Sequence, residues 1–133
     1  MHRVTRERFV DATPAELERL CSPRSLVAWE GSFDAEAVAE TGEGTVVTAT
    51  GPGMSFRLRF EKRADGYRYE QVGDGPFDRM ETRLTVSPEN EGSRVTVRST
   101  VSLGLPLPLV DRVAAWKRGG ELDRLLDSLA DAA

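Results

Sequence analysis

Residues 54–63 read MSFRLRFEKR, and this alternation decides the fold class. Met54, Phe56, Leu58 and Phe60 fall on one side, with Ser55, Arg57, Arg59 and Glu61 on the other. A period of two is that of a strand with one dry and one wet face, and not of a helix.

Toward the C-terminus the same period recurs. Tyr67, Tyr69 and Gln71 oppose Arg68 and Glu70; Met80, Thr82, Leu84 and Val86 oppose Arg79, Glu81, Arg83 and Thr85; Val95, Val97, Ser99 and Val101 oppose Arg94, Thr96 and Arg98. The breaks from Ser32 to Leu103 are Thr41-Gly42-Glu43-Gly44, Gly51-Pro52-Gly53, Ala64-Asp65-Gly66, Gly73-Asp74-Gly75-Pro76 and Pro88-Glu89-Asn90-Glu91-Gly92. Such breaks are hairpin turns, so the spacing predicts an antiparallel sheet with one buried face. The turns Gly42-Glu43-Gly44 and Gly73-Asp74-Gly75 lead into strands, so neither offers a phosphate the N-terminus of a helix.

Upstream, Arg3 to Val10 is extended and ends in Asp11-Ala12-Thr13-Pro14-Ala15-Glu16, a helix start with Thr13 as cap, Pro14 in the first turn and Glu16 closing a capping box. Ser22-Pro23 repeats the signature, predicting two short helices after the first strand. Downstream of Gly104-Leu105-Pro106-Leu107-Pro108 the spacing turns helical. Leu109, Val113, Trp116 and Gly120 take one side, read as continuing through Leu122, Leu125, Leu126 and Leu129. Gly119 and Gly120 each cost about 1 kcal/mol relative to alanine inside a helix, which points to a close approach or to open space.

This order of elements buries its dry face only if the sheet curls around the last helix. The expected architecture is α+β, a helix-grip fold in which a curved antiparallel sheet of about seven strands wraps a long C-terminal helix. A single helix does not fill such a curve, so a cavity between helix and sheet is the expected binding site.

The chain has 133 residues, 39% hydrophobic and 30% charged, with a net charge of -4, as for one soluble domain spanning residues 1–133. Cys21 is the single cysteine and most simply fills space in the first helix; with no apolar N-terminal run, the expectation is a cytoplasmic protein without membrane insertion. His2 is the single histidine, which argues against a zinc site and against a Ser-His-Asp triad, so no metal or cofactor is expected. Mild acidity argues against wholesale electrostatic attachment to nucleic acid or to an anionic membrane, although local patches can differ in sign, and no nucleic-acid partner is expected.

Several stretches carry a family resemblance: Val10-Asp11-Ala12-Thr13-Pro14-Ala15-Glu16-Leu17, Ser22-Pro23-Arg24 with Trp29, Tyr69-Glu70-Gln71-Val72 with Gly75-Pro76-Phe77, Glu91-Gly92-Ser93-Arg94-Val95-Thr96-Val97, and Leu125-Leu126-Asp127-Ser128-Leu129. Over nearly its whole length the chain resembles the START/Bet v1-like (SRPBCC) superfamily, close to its polyketide cyclase/dehydrase and lipid-transport branch. These motifs mark caps, turns and core, and the superfamily spans carriers, cyclases, hydrolases and chaperone cofactors, so the fold does not dictate the activity.

The resemblance implies a pocket beneath the last helix. Its wall would be Met54, Phe56, Leu58, Tyr67, Tyr69, Met80, Leu84 and Val97 from the strands, with Val113, Trp116 and Gly120 from the helix, unless these residues pack together as core. Trp29 is either a core plug or a ligand platform. Gln71, Thr82 and Ser99 either orient a ligand or satisfy one another. No catalytic residue emerges, because the strands from Met54 onward place every charge on the wet face; the exceptions to settle are Glu30, Asp34, Arg6 and Arg8.

Three functions follow as expectations. The first is binding or transport of a small hydrophobic ligand, with Gly104 to Pro108 and the hairpin turns as a gate. The second is a polyketide cyclase/dehydrase-like enzyme, favoured if Glu30, Asp34 or Arg8 points inward. The third is a protein-interaction module using the outward Arg57, Arg59, Arg68, Arg79, Arg83, Arg94 and Arg98, which otherwise pair with Glu61, Glu70 and Glu81.

Overall fold

The computed structural model describes residues 1–133 apart from the side chain of Pro108. The elements are β1 (His2–Val10), α1 (Pro14–Leu20), α2 (Pro23–Glu30), β2 (Asp34–Thr41), β3 (Gly44–Gly51), β4 (Met54–Arg63), β5 (Gly66–Val72), β6 (Arg79–Glu89), β7 (Gly92–Ser102) and α3 (Pro108–Ala132). Seven strands form one antiparallel sheet in the order β1-β7-β6-β5-β4-β3-β2, curved over α3 in the helix-grip arrangement. Among the described residues no helix is long and apolar enough to cross a membrane.

Local chemistry sets the short helices. Thr13 Oγ1 accepts the Glu16 backbone N–H at 3.2 Å, and Ser22 Oγ accepts that of Ser25 at 3.1 Å, each cap followed by a proline. Leu17, Leu26 and Val27 are thereby turned into the core. Phe9, whose parity on β1 is opposite to that of Val4 and Val10, lies over Gly92 on the far side of the sheet.

The period-two reading of β4 to β7 holds, with Phe56, Leu58, Phe60, Tyr67, Tyr69, Leu84, Val95, Val97 and Val101 all buried. Register matters more than parity for the site. Phe60 pairs with Tyr69, Tyr69 with Thr82, Thr82 with Ser99 and Ser99 with Val4, so three hydroxyl-bearing residues lie in one cross-strand row.

α3 corrects the sequence reading. Its buried face is Ala114, Arg118, Glu121, Leu122, Leu125 and Leu129, whereas Leu109, Val113 and Trp116 are exposed. The two sets are different stripes. Continuing from Leu109, Val113, Trp116 and Gly120 in steps of three and four leads to Asp123, Arg124 and Asp127, and the leucines sit around the other side.

The adjacent glycines have different surroundings. A Cβ at Gly119 would lie 2.5 Å from Arg6 Nη2, so Gly119 permits the close approach of α3 to β1, while one at Gly120 would meet only Arg124 Nη1 at 3.7 Å. Arg6 and Arg8 point toward α3 and pair with Asp123 and Asp127 while remaining half exposed. Arg124 ties α3 to α2 by donating to the Glu30 carbonyl at 2.8 Å.

Candidate functional site

The centre of the concave face is filled. Phe60 stacks on Tyr69 with ring centroids 4.4 Å apart, and above them lies a buried charge cluster that the sequence reading missed. Arg118, 2% exposed, extends from α3 toward the row of hydroxyls on the sheet. Its Nε donates to Ser99 Oγ at 3.1 Å; Nη1 donates to Glu30 and to Glu121 Oε1, the latter at 3.1 Å; Nη2 donates to Glu30 Oε2 at 3.0 Å and to Thr82 Oγ1 at 2.8 Å. These bonds use every N–H of the guanidinium. Glu30, at the end of α2, also accepts a hydrogen bond from the Tyr69 hydroxyl.

Electrostatics hold these groups in defined states. Burial pushes the Tyr69 phenol well above its usual range and the Glu30 carboxylate adds to the effect, so Tyr69 remains a donor. Burial acts to lower the Arg118 pKa, but the charges around it, Glu30 foremost, raise it well above the ordinary value. The guanidinium is therefore a permanent buried cation, paired and fully hydrogen-bonded.

Beside this cluster, toward the N-terminal half of α3, opens an apolar pocket of about 460 Å³. Phe33, Pro76, Phe77 and Leu103 form one wall; Leu109, Val110, Val113 and Ala114 form the other, and Lys117, Arg118 and Glu121 provide the charged lining. Gln71 builds the first wall, since its side chain donates to the Phe77 carbonyl at 2.7 Å and accepts the Phe77 N–H at 3.2 Å. Gly75 lets the loop lie on that amide, for a Cβ there would stand 2.6 Å from Gln71 Cδ. The segment expected as a gate joins the lining residues Leu103 and Leu109; within it the side chain of Pro108 lies outside the described part.

The residues expected to form one wall are thus distributed among several places. Phe56, Leu58 and Met80 border a gap of about 20 Å³ next to Arg118, room for a single water. Tyr69, Thr82 and Ser99 hold the charge cluster, Val97 is packed in the core, and Trp29 is half-buried against it. Val113 lines the large pocket. Three placements correct the expected wall: Met54 is exposed at the start of β4, Trp116 is 80% exposed, and Gly120 faces Arg124. The cause for the helix residues is the rotation of α3, which turns the leucine stripe inward. Of the charges left to settle, Glu30 points inward and Asp34 is exposed.

Tyr67 and Leu84 line a second, smaller pocket of about 160 Å³ under α1, together with Leu17, Cys21 and Lys62. Burial pushes the Cys21 thiol from 9.0 up to about 11, against the opposing pull of Lys62. With the folded pKa raised, the neutral thiol contributes stability below about pH 9 that is lost as the pH rises through 11. At pH 8 the thiolate fraction falls about a hundredfold, so Cys21 is expected to react with a disulfide reagent at least tenfold more slowly in native than in denatured protein. Equal rates would place the thiol in solvent.

On the outer sheet face, Arg59 pairs with Glu43 and Glu70, Arg68 with Glu61, Glu70 and Glu81, and Arg94 with Glu89. Among the described residues Arg57, Arg79, Arg83 and Arg98 form no ion pair, nor does any group of three His, Cys, Asp or Glu residues have the arrangement of a metal site.

Residues 1–133 match the family model described as polyketide cyclase / dehydrase and lipid transport. Among solved structures, a protein of Thermus thermophilus is 25% identical, with a TM-score of 0.71 over 99% of both chains. A START superfamily protein from Mycobacterium smegmatis is 17% identical, with a TM-score of 0.77 over 99% of this chain and 97% of that one. A STAR-related lipid transfer protein from Xanthomonas axonopodis is 18% identical, with a TM-score of 0.59 over 96% of this chain and 85% of that one. No curated protein matches the sequence.

Proposed function

From the premise that the chain belongs to the polyketide cyclase/dehydrase and lipid transport family, we propose that it binds and carries a small hydrophobic molecule in the pocket beneath the N-terminal half of α3. The observation that carries this reading is the pocket's division of character. Its walls are aliphatic and aromatic, while charge is gathered in Lys117, Arg118 and Glu121. Such a site takes an apolar body by removing it from water and orients a polar group by hydrogen bonds to the charged lining. A lipid, an isoprenoid and a polyketide-like chain all fit that description.

A second reading, a cyclase/dehydrase-like enzyme, is favoured by the inward placement of Glu30 and Glu121. Glu30 has both oxygens engaged by Arg118 and one also by Tyr69, and it is not among the residues lining the large pocket. Glu121 lines the pocket and is held by Arg118 through Oε1, so it is the better candidate for a general base.

Native mass spectrometry after incubation with fatty acids, isoprenoid alcohols and aromatic polyketides tests the carrier reading. The expected result is a one-to-one adduct with at least one of these classes, recovered unchanged in mass after release. A bare protein mass with the whole panel would overturn it, and release of a dehydrated or cyclised product would favour the enzyme.

A further inference from the structure

The rotation of α3 that buries its leucines leaves an apolar surface exposed and, among the described residues, uncovered. Leu105 and Leu107, on the segment leading into α3, and Leu109 and Val113, on its first turns, are each more than half exposed, and Trp116 is 80% exposed. These side chains adjoin the pocket mouth, because Leu109 and Val113 also line the pocket. An exposed cluster of this size and aromatic content marks a contact surface.

The charges around it are selective. Arg112 and Lys117 are exposed on the same half of α3. The acids of that half are withdrawn: Asp111 is buried and accepts the Leu103 N–H at 2.9 Å, and Glu121 is buried against Arg118. Exposed acids on α3 resume at Asp123, which pairs with Arg6; off the helix, Asp78 packs against Gly104 and Asp74 is exposed in the loop that carries Pro76 and Phe77. On a chain of net charge -4, an apolar patch with a cationic rim stands out.

We propose that Leu105, Leu107, Leu109, Val113 and Trp116, flanked by Arg112 and Lys117, form a docking surface for an anionic lipid bilayer, setting the pocket mouth against the membrane. Leucines and an indole suit the acyl boundary, and the two cations suit anionic headgroups one layer further out. A second copy of the chain fits less well. The antiparallel self-pairing that buries Val113 against Trp116 brings Arg112 beside the Arg112 of the other copy on one flank and Lys117 beside its counterpart on the other, setting like charges together. Docking itself does not depend on the carrier reading, since a bilayer can bind this surface whether or not the pocket is filled.

The test is co-flotation of the full chain with phosphatidylcholine vesicles, with and without phosphatidylglycerol. A Trp29→Phe background leaves Trp116 as sole fluorescent reporter. The expected results are at least about fivefold greater binding to the anionic vesicles, weakened by salt, and quenching of Trp116 by brominated acyl chains. Leu105→Ser with Leu107→Ser, neither a pocket-lining residue, should reduce binding tenfold or more with an unchanged circular dichroism spectrum. Arg112→Glu should remove most of the preference for anionic lipid. Equal weak binding to both vesicle types without quenching would overturn the proposal, as would a dimer in solution abolished by Trp116→Ser. Ligand uptake measured on the same serine variants separates the two readings: lost docking with retained uptake supports the surface and leaves the carrier reading standing.

Discussion

Replacing Arg118 by methionine lowers the unfolding free energy by about 3–5 kcal/mol, the usual cost of removing one partner from a buried ion pair. The guanidinium is 2% exposed and serves Glu30, Glu121, Thr82 and Ser99 together. Without it two carboxylates remain buried side by side, with the Tyr69 hydroxyl as the donor left to Glu30. Against a typical domain stability of about 5–15 kcal/mol the loss is severe. The double variant Arg118→Met/Glu30→Met should recover at least half of it, since replacing a buried pair by apolar side chains of similar volume is often close to neutral. Urea unfolding of the three proteins measures both quantities. A single-variant loss below about 1 kcal/mol would mean that the cluster is solvated, the range found for exposed pairs.

Ala114→Phe should reduce uptake of the hydrophobic ligand by at least tenfold while leaving the protein folded. Ala114 is nearly buried and faces the pocket of about 460 Å³ from the inner side of α3. A phenyl ring there occupies space the ligand needs. Excluding even two methylenes of ligand costs about 1.6 kcal/mol at roughly 0.8 kcal/mol each, which is more than a factor of ten in affinity. Titration with whichever compound gives the mass adduct reads the effect, and a thermal melt guards against simple overpacking. Unchanged uptake by a folded variant would move the ligand out of this pocket, with the smaller one beside Cys21 as the next place to look.

Much of the fold is legible in the chain because it rests on local rules. Thr13-Pro14 and Ser22-Pro23 start helices through their own caps, and Met54 to Glu61 alternates because a pleated strand must. The candidate site is less legible. Phe77 lines the pocket because the Gln71 side chain, six residues back at the end of β5, brackets its backbone across the glycine-rich turn, a contact that the turn's composition does not advertise. Arg118 follows Lys117 in the chain, and such a basic pair reads most simply as solvated. One signal was available: counting back from Leu129, Leu125 and Leu122 at helical spacing reaches Arg118 and Ala114, which places a cation on the buried stripe.

Sequence alone determined the helix-grip architecture and the dry face of the sheet, because periodicity and caps are properties of neighbouring residues. Tertiary structure alone decided the rotation of α3. That rotation sets which half-apolar stripe is buried, and the choice depends on total burial: the leucines of the second half outweigh Leu109, Val113 and Trp116. It carries Arg118 onto the row of Tyr69, Thr82 and Ser99, aligned by strand register, and opens the pocket at one end of the sheet instead of its centre.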